Sequence, residues 1–345
     1  MTDKRGFASD NQAGVHEEVL QAIIDANHGH VPSYGDDHYT AAAKERFREH
    51  FGDDIEVYFV FNGTAANVMA ASAVCRPFDA VISAVTSHFT IDECGATERF
   101  TGCRVLTVPS KDGKMEVGAI EPFLQGAGEA HRSQARVISI TQATELGTVY
   151  SPEEIAVLAD FAHDHDMYLH MDGSRLANAA AGLDMGLRQI SADAGVDLLS
   201  FGGTKNGLLM GEAVVFFGKE LARDFAYTHK QGMQLASKMR FVSVQFQALL
   251  TDDLWLRSAR HANGMAQLLA SKVREISEVE IIHPVESNAV FARLPRECIP
   301  GLQEQYFFHP MDEKEGIVRW MPAFDTTEDD VNGFVAAIEE AVSGR

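Results

Sequence analysis

The sequence predicts an α/β fold: a large domain with a mainly parallel sheet covered by helices, followed by a smaller C-terminal α+β domain. Three observations carry this. Short, nearly continuous apolar segments alternate with segments of helical apolar spacing over residues 1–250. Several of those apolar segments end in glycine, aspartate or asparagine, as strands that turn into helices do. Over residues 251–345 the pattern changes to a long helix, several strands and a closing helix. At 345 residues the chain has room for both cores.

In chain order, HEEVLQAIIDANH and TAAAKERFREHFG show apolar residues at helical spacing. The strand EVYFVF follows and stops at Asn62 and Gly63, and TAANVMAASAV reads as the next helix. Further strands are AVISA, RVLTVP, RVISIT, YLHMDG, LLSFGG and AVVFFG, with helical segments between several of them. The second domain begins with a helical stretch from Asp252 to Ser277. It continues through EIIHPV, SNAVFARLP and GIVRWMP to an acidic helix from Thr327.

Composition narrows the function. A hydrophobic fraction of 46% and a charged fraction of 23% are those of an ordinary globular protein. No run approaches the ~20 apolar residues of a membrane helix, and the first residues, MTDKRGFASDNQ, do not read as a secretory signal. A cytoplasmic protein is expected. The net charge of −21 argues against nucleic acid, which is held mainly by neutralising its phosphates. Cys75, Cys94, Cys103 and Cys298 lack the paired spacing of zinc sites or disulfide frameworks and read as buried free thiols. The histidines show no metal pattern; His163 and His165 read as an exposed helix end. No metal is expected.

Four segments carry chemistry. In SFGGTKNG a buried strand runs into two glycines and then Lys205, at the carboxyl end of a strand where α/β folds place ligands. In YLHMDGSR a strand ends on Asp172, one strand–helix–strand unit earlier, and a right-handed crossover brings both to one sheet edge. In FNGTAAN, Asn62, Gly63 and Thr64 sit where a strand meets a helix N-terminus, a natural phosphate cradle. Taken singly, each has a plain reading: a turn lysine, a helix-capping aspartate, a capped helix start. Together they are the parts that pyridoxal 5'-phosphate (PLP) requires: a lysine, a carboxylate for the ring nitrogen, and a phosphate site. His88, in VTSHFTIDE, follows another strand and is placed to stack on the ring, with Asp92 and Glu93 near enough to orient it.

The ordered set of FASDN, YGDD at Tyr34, NGT, His88, HMDGSR, the Lys205 segment and VRWMP resembles the low-specificity L-threonine aldolases of the fold type I, aspartate-aminotransferase-like PLP superfamily. The resemblance covers nearly the whole chain. It implies PLP bound covalently to Lys205, Asp172 at the ring nitrogen, His88 over the ring, and Gly63 and Thr64 at the phosphate. It also implies that Ser9, Arg175 and Arg319 gather round the substrate carboxylate, with residues 1–30 near the site. Homotetramers built as dimers of dimers are implied too, with Tyr34 serving a neighbouring site.

The chain departs from the family pattern in two places. Thr144, in TQATELG, stands where many members have a histidine at the substrate hydroxyl. Gln234, in QGMQ, stands where many have an arginine that reaches a phosphate across the dimer, with Lys238 and Arg240 nearby as substitutes. These departures suggest a divergent subgroup, one that favours β-aryl substrates such as phenylserine. The expected reaction is retro-aldol cleavage of an L-β-hydroxy-α-amino acid to glycine and an aldehyde, with His88 as base and Asp92 in support. The same parts also suit a β-eliminating lyase or an aminotransferase. A non-catalytic PLP-fold sensor is the reading from a different class.

Overall fold

The computed structural model describes residues 4–344. Seven strands form the main sheet: β1 (Ile55–Val60), β2 (Asp79–Ala84), β3 (Arg104–Val108), β4 (Gln134–Thr141), β5 (Tyr168–Gly173), β6 (Leu198–Gly202) and β7 (Glu212–Phe217), in the order β1-β7-β6-β5-β4-β2-β3. The β3–β2, β2–β4, β4–β5 and β5–β6 pairs are parallel. The strand β7 runs antiparallel to both of its neighbours, β6 and β1. The carboxyl ends of β1, β2, β4, β5 and β6 therefore share one edge with the start of β7, and the chemistry collects there.

Every residue of β2 and of β6 is buried, as strands covered on both faces must be. One face packs against helices His38–Phe51 and Arg240–Leu249 through Phe47, Phe59, Phe201 and Phe246. The other packs against helix Gly63–Val74 and its neighbours through Val60, Val68, Met69, Leu198, Val214 and Phe216. That second face also carries the polar residues of the site, because alternate residues of β5 and β7 point to it.

A second sheet, in the order β10-β11-β9-β8, comprises β8 (Glu280–Ile281), β9 (Val290–Arg293), β10 (His309–Asp312) and β11 (Ile317–Trp320). Its core is aromatic: Phe7 stacks on Phe334 with centroids 4.4 Å apart, and Trp320 meets Phe334 edge-on at 5.3 Å. Helix Leu254–Val273 joins the two cores, with Leu254, Trp255 and Ala259 in the first and Ala266, Leu269 and Ala270 in the second. The N-terminal segment is not simply part of the large domain. Phe7 lies in the second core, and its N–H donates to the Phe307 carbonyl at 2.8 Å. That anchorage carries Ser9 and Asp10 back to the sheet edge.

Among the described residues no helix is long and apolar enough to cross a membrane. No disulfide joins the cysteines among the described residues; Cys103 and Cys298 are buried as expected, whereas Cys75 is half-buried and Cys94 exposed. His163, in the last turn of helix Pro152–Asp164, contacts Asp197 at 2.9 Å.

Candidate active site

Lys205 sits on a 3-10 turn, Thr204–Asn206, directly after β6. The turn is tight because Gly202 lies against the backbone of Ser174, and a Cβ there would overlap the Ser174 carbonyl. Asn206 pins it from below, its amide donating to the Trp255 carbonyl at 3.0 Å.

Asp172 ends up beside Lys205 because β5 and β6 are adjacent, with Asp172 in register with Ser200. Its buried carboxylate accepts from Asn67 Nδ2 at 2.8 Å, from the Ser174 N–H at 3.0 Å and from Ser174 Oγ at 2.6 Å. Burial opposes its ionisation. Lys205, the Ser174 and Asn67 hydrogen bonds and His88 outweigh burial and hold Asp172 below the usual carboxylate range. An ionised, buried carboxylate of this kind suits the protonated nitrogen of a pyridine ring.

Helix Gly63–Val74 starts beside these groups. Asn62 caps it by accepting from the Ala65 N–H at 2.9 Å. The Gly63 and Thr64 N–H groups donate to no group among the described residues, so they are available to an anion at the positive end of the helix. The donors present fit PLP: free helical N–H groups for a phosphate, an ionised carboxylate for the ring nitrogen, and a lysine.

His88 begins the short helix that follows β2, and its Nδ1 contacts Glu93 Oε1 at 2.9 Å. Asn67 donates to the same Glu93 oxygen at 2.8 Å, so one amide ties Asp172 to the His88–Glu93 pair. The bond to Glu93 raises His88 above its ordinary pKa, against the effect of burial, and Asp172 adds to the rise. Burial pushes the Glu93 carboxyl up as well. The carboxylate that orients His88 is thus Glu93. The sequence places both Asp92 and Glu93 within reach of His88 and names Asp92 as its support; Asp92 is exposed at the end of the turn.

At the other end of the site Arg175 is buried and forms a bidentate pair with Asp10, Nε to Oδ2 at 2.7 Å and Nη2 to Oδ1 at 2.9 Å. Burial works against the Asp10 charge, yet Arg175, Lys205 and Asn288 hold its pKa down at about 2. Arg319, on β11, donates through Nη2 to the Ala8 carbonyl at 3.2 Å, and its buried Nε has no partner. Ser9 caps the Asp10–Gln12 turn, and its Oγ lies 3.5 Å from Asp10 Oδ1. Arg175 is therefore a clamped cation, and Arg319 is the one with an unsatisfied donor.

Residues 6–296 match the family described as beta-eliminating lyase. A low specificity L-threonine aldolase of a Pseudomonas species is 44% identical over 345 residues, covering 99% of this chain and 100% of that protein. One from Pseudomonas aeruginosa is also 44% identical, over 94% of this chain and 95% of that protein. This chain belongs to that family. A threonine aldolase structure from Leishmania major superposes with a TM-score of 0.92 at 29% identity, covering 98% of this chain and 99% of that one. Membership makes the chain a PLP-dependent lyase of fold type I.

Thr144 and Gln234, the two departures noted in the sequence, are both held by contacts within this chain. Thr144 is buried, and its hydroxyl meets Thr148 Oγ1 at 2.8 Å and the Asp112 carbonyl at 3.4 Å. The half-buried residue of that turn in the electrostatic field of His88, Arg175 and Arg319 is its neighbour, Glu145. Gln234 accepts from the Phe61 N–H at 3.0 Å, one residue before the cradle. Lys238 is exposed and Arg240 reaches the Gly29 carbonyl at 3.4 Å; neither bonds to the cradle of its own chain. Tyr34 is exposed, with the Lys230 ammonium 5.1 Å from its ring centroid.

Sequence reasoning missed Asp10, Asn67, Glu145 and Asn288. Asn67 had one available signal: it lies four residues after Gly63, one turn up the same helix face.

The Asp10–Arg175 pair supplies the first prediction. Asp10→Asn leaves a buried guanidinium without its counter-charge, which costs about 3–5 kcal/mol, and denaturant unfolding reads the loss. Because the folded Asp10 pKa lies near 2, its contribution is complete above the ordinary carboxylate range and fades as pH falls through about 2. An unchanged denaturation midpoint for the variant would remove this pair from the account.

Proposed function

We propose that the protein cleaves L-threonine and related L-β-hydroxy-α-amino acids, phenylserine among them, to glycine and an aldehyde. The observation that carries this reading is the meeting of Lys205, ionised Asp172, the His88–Glu93 pair and two arginines at one sheet edge, in a chain 44% identical to low specificity L-threonine aldolases. PLP, when bound, supplies the electron sink for the pair left when the Cα–Cβ bond breaks.

The chain's own residues do the rest. Lys205 anchors the cofactor, Asp172 keeps the ring nitrogen protonated, and Gly63 and Thr64 hold the phosphate through their N–H groups. Arg319, with its unsatisfied Nε, binds the substrate carboxylate beside Arg175, whose planar guanidinium Asp10 keeps in place. With Nδ1 of His88 donating to Glu93, Nε2 carries the lone pair and takes the proton of the β-hydroxyl, help typically worth about 10²–10⁴-fold. A cytoplasmic homotetramer, a dimer of dimers, completes the proposal. Leu209 and Met210, exposed on the Lys205 segment itself, suit burial against a second copy, and light scattering would read four chain masses.

Aldehyde release from L-threonine and L-phenylserine is expected with the wild type and PLP, and Lys205→Ala should lose it almost entirely. Keto acid and ammonia in place of aldehyde and glycine would instead mean β-elimination. A new amino acid formed from an added keto acid would mean transamination.

The His88 base gives a pH prediction. A base must be unprotonated to act, so activity declines as pH falls through the raised His88 pKa. Glu93→Gln removes the main cause of that rise, and the acid limb of kcat/KM should move to lower pH with a reduced plateau. An acid limb that stays in place would take the base role from His88.

A further inference from the structure

The mechanism leaves one buried acid at the sheet edge without a task. Glu212 is the first residue of β7, paired across the sheet with Gly202 on one side and Val60 on the other. It is almost fully buried, and its Oε2 accepts from the Gly203 N–H at 2.7 Å, two residues before Lys205. By strand alternation it shares a face with Val214 and Phe216, the face packed by helix Gly63–Val74.

The segment from Gly202 to Gly211 has little freedom. Gly203 packs closely against Leu208, the Gly211 carbonyl and Phe246. Gln245 Oε1 accepts from the Leu209 N–H at 2.9 Å and the Met210 N–H at 3.3 Å. Thr204 Oγ1 joins both polar groups of Gly211. Of the side chains that fasten this segment, Glu212 is the one that titrates. Asn206 and Gln245 fasten their parts of the segment without charge, whereas Glu212 fastens Gly203 and brings charge as well.

We propose that Glu212 is a positioning residue for Lys205, holding the lysine turn through Gly203 and setting the charge that the Lys205 nitrogen experiences when it is not bound to the cofactor. The inference rests on Lys205 being the PLP lysine. Burial pushes the Glu212 carboxyl up to about 7, against the Gly203 and Thr204 hydrogen bonds and the charge of Lys205. A carboxyl in that range keeps one oxygen for Gly203 whether or not it carries a proton. The turn stays fastened while the local charge changes. Asp172 and Asp10 also act on Lys205, and Asp172 acts on Glu212; both remain when Glu212 is changed.

The test is the rate at which full-length apoenzyme captures PLP, followed by the cofactor's absorption change across a range of pH. Capture requires the uncharged amine, which a neighbouring negative charge disfavours. Glu212→Gln keeps an acceptor for Gly203 and removes the charge. Its capture profile should move to lower pH, about tenfold faster at a fixed pH below the plateau, with an unchanged thermal midpoint. A purely structural Glu212 would leave the profile in place, and that result overturns the proposal. Should Glu212→Gln not accumulate as folded protein, Glu212→Asp keeps the charge and is expected to keep the wild-type profile; a displaced profile there also overturns it. Lys205→Ala separates the two readings: if that variant still captures PLP covalently, the cofactor lysine is wrong, whatever Glu212 does.

Discussion

The buried carboxylate of Asp172 is the constraint around which the site is arranged. A carboxylate at the buried end of a strand is unfavourable unless hydrogen bonds and opposite charge meet it. Here Ser174 and Asn67 supply the bonds and Lys205 the charge. Each tie positions another element. Ser174 closes the turn after β5 and lies against Gly202, which bends the chain toward Lys205. Asn67 locks helix Gly63–Val74, and with it the helix start at Gly63 and Thr64, to the same carboxylate and to Glu93. His88 follows from Glu93.

A second charged knot ties the small domain to this edge. Asp10, from the N-terminal segment, binds Arg175, which follows β5 directly, and Asn288, which precedes β9. Phe7 anchors that segment in the small-domain core, and Arg319 of β11 reaches the Ala8 carbonyl. This end of the site is therefore assembled from four separate stretches of chain.

Much of this was legible in the sequence, and the reason is physical. Strand ends declare themselves when an apolar run stops at Asp172, at Asn62 or at the glycines before Lys205, and an α/β sheet brings such ends to one edge. The antiparallel course of β7 was not legible, because an apolar run has no direction. Which of Asp92 and Glu93 meets His88 depended on the rotation of a single helical turn, and the burial of the Thr144 hydroxyl against Thr148 on the closure of a tight turn. Asn67 read as helix interior, and Asp10 as part of an irregular terminus. Their roles come from contacts 105 and 165 residues away in sequence. Glu212 was hidden for the opposite reason: it opens a strand so apolar that its acid looked like a boundary.

The most direct test of this arrangement is the site of covalent attachment. Borohydride treatment of the PLP-loaded protein, followed by digestion and peptide mass analysis, locates the lysine that holds the cofactor. The account predicts a phosphopyridoxyl mass on the peptide that contains Lys205 and on no other. The same mass on a different lysine, or none on a protein visibly loaded with PLP, would contradict it.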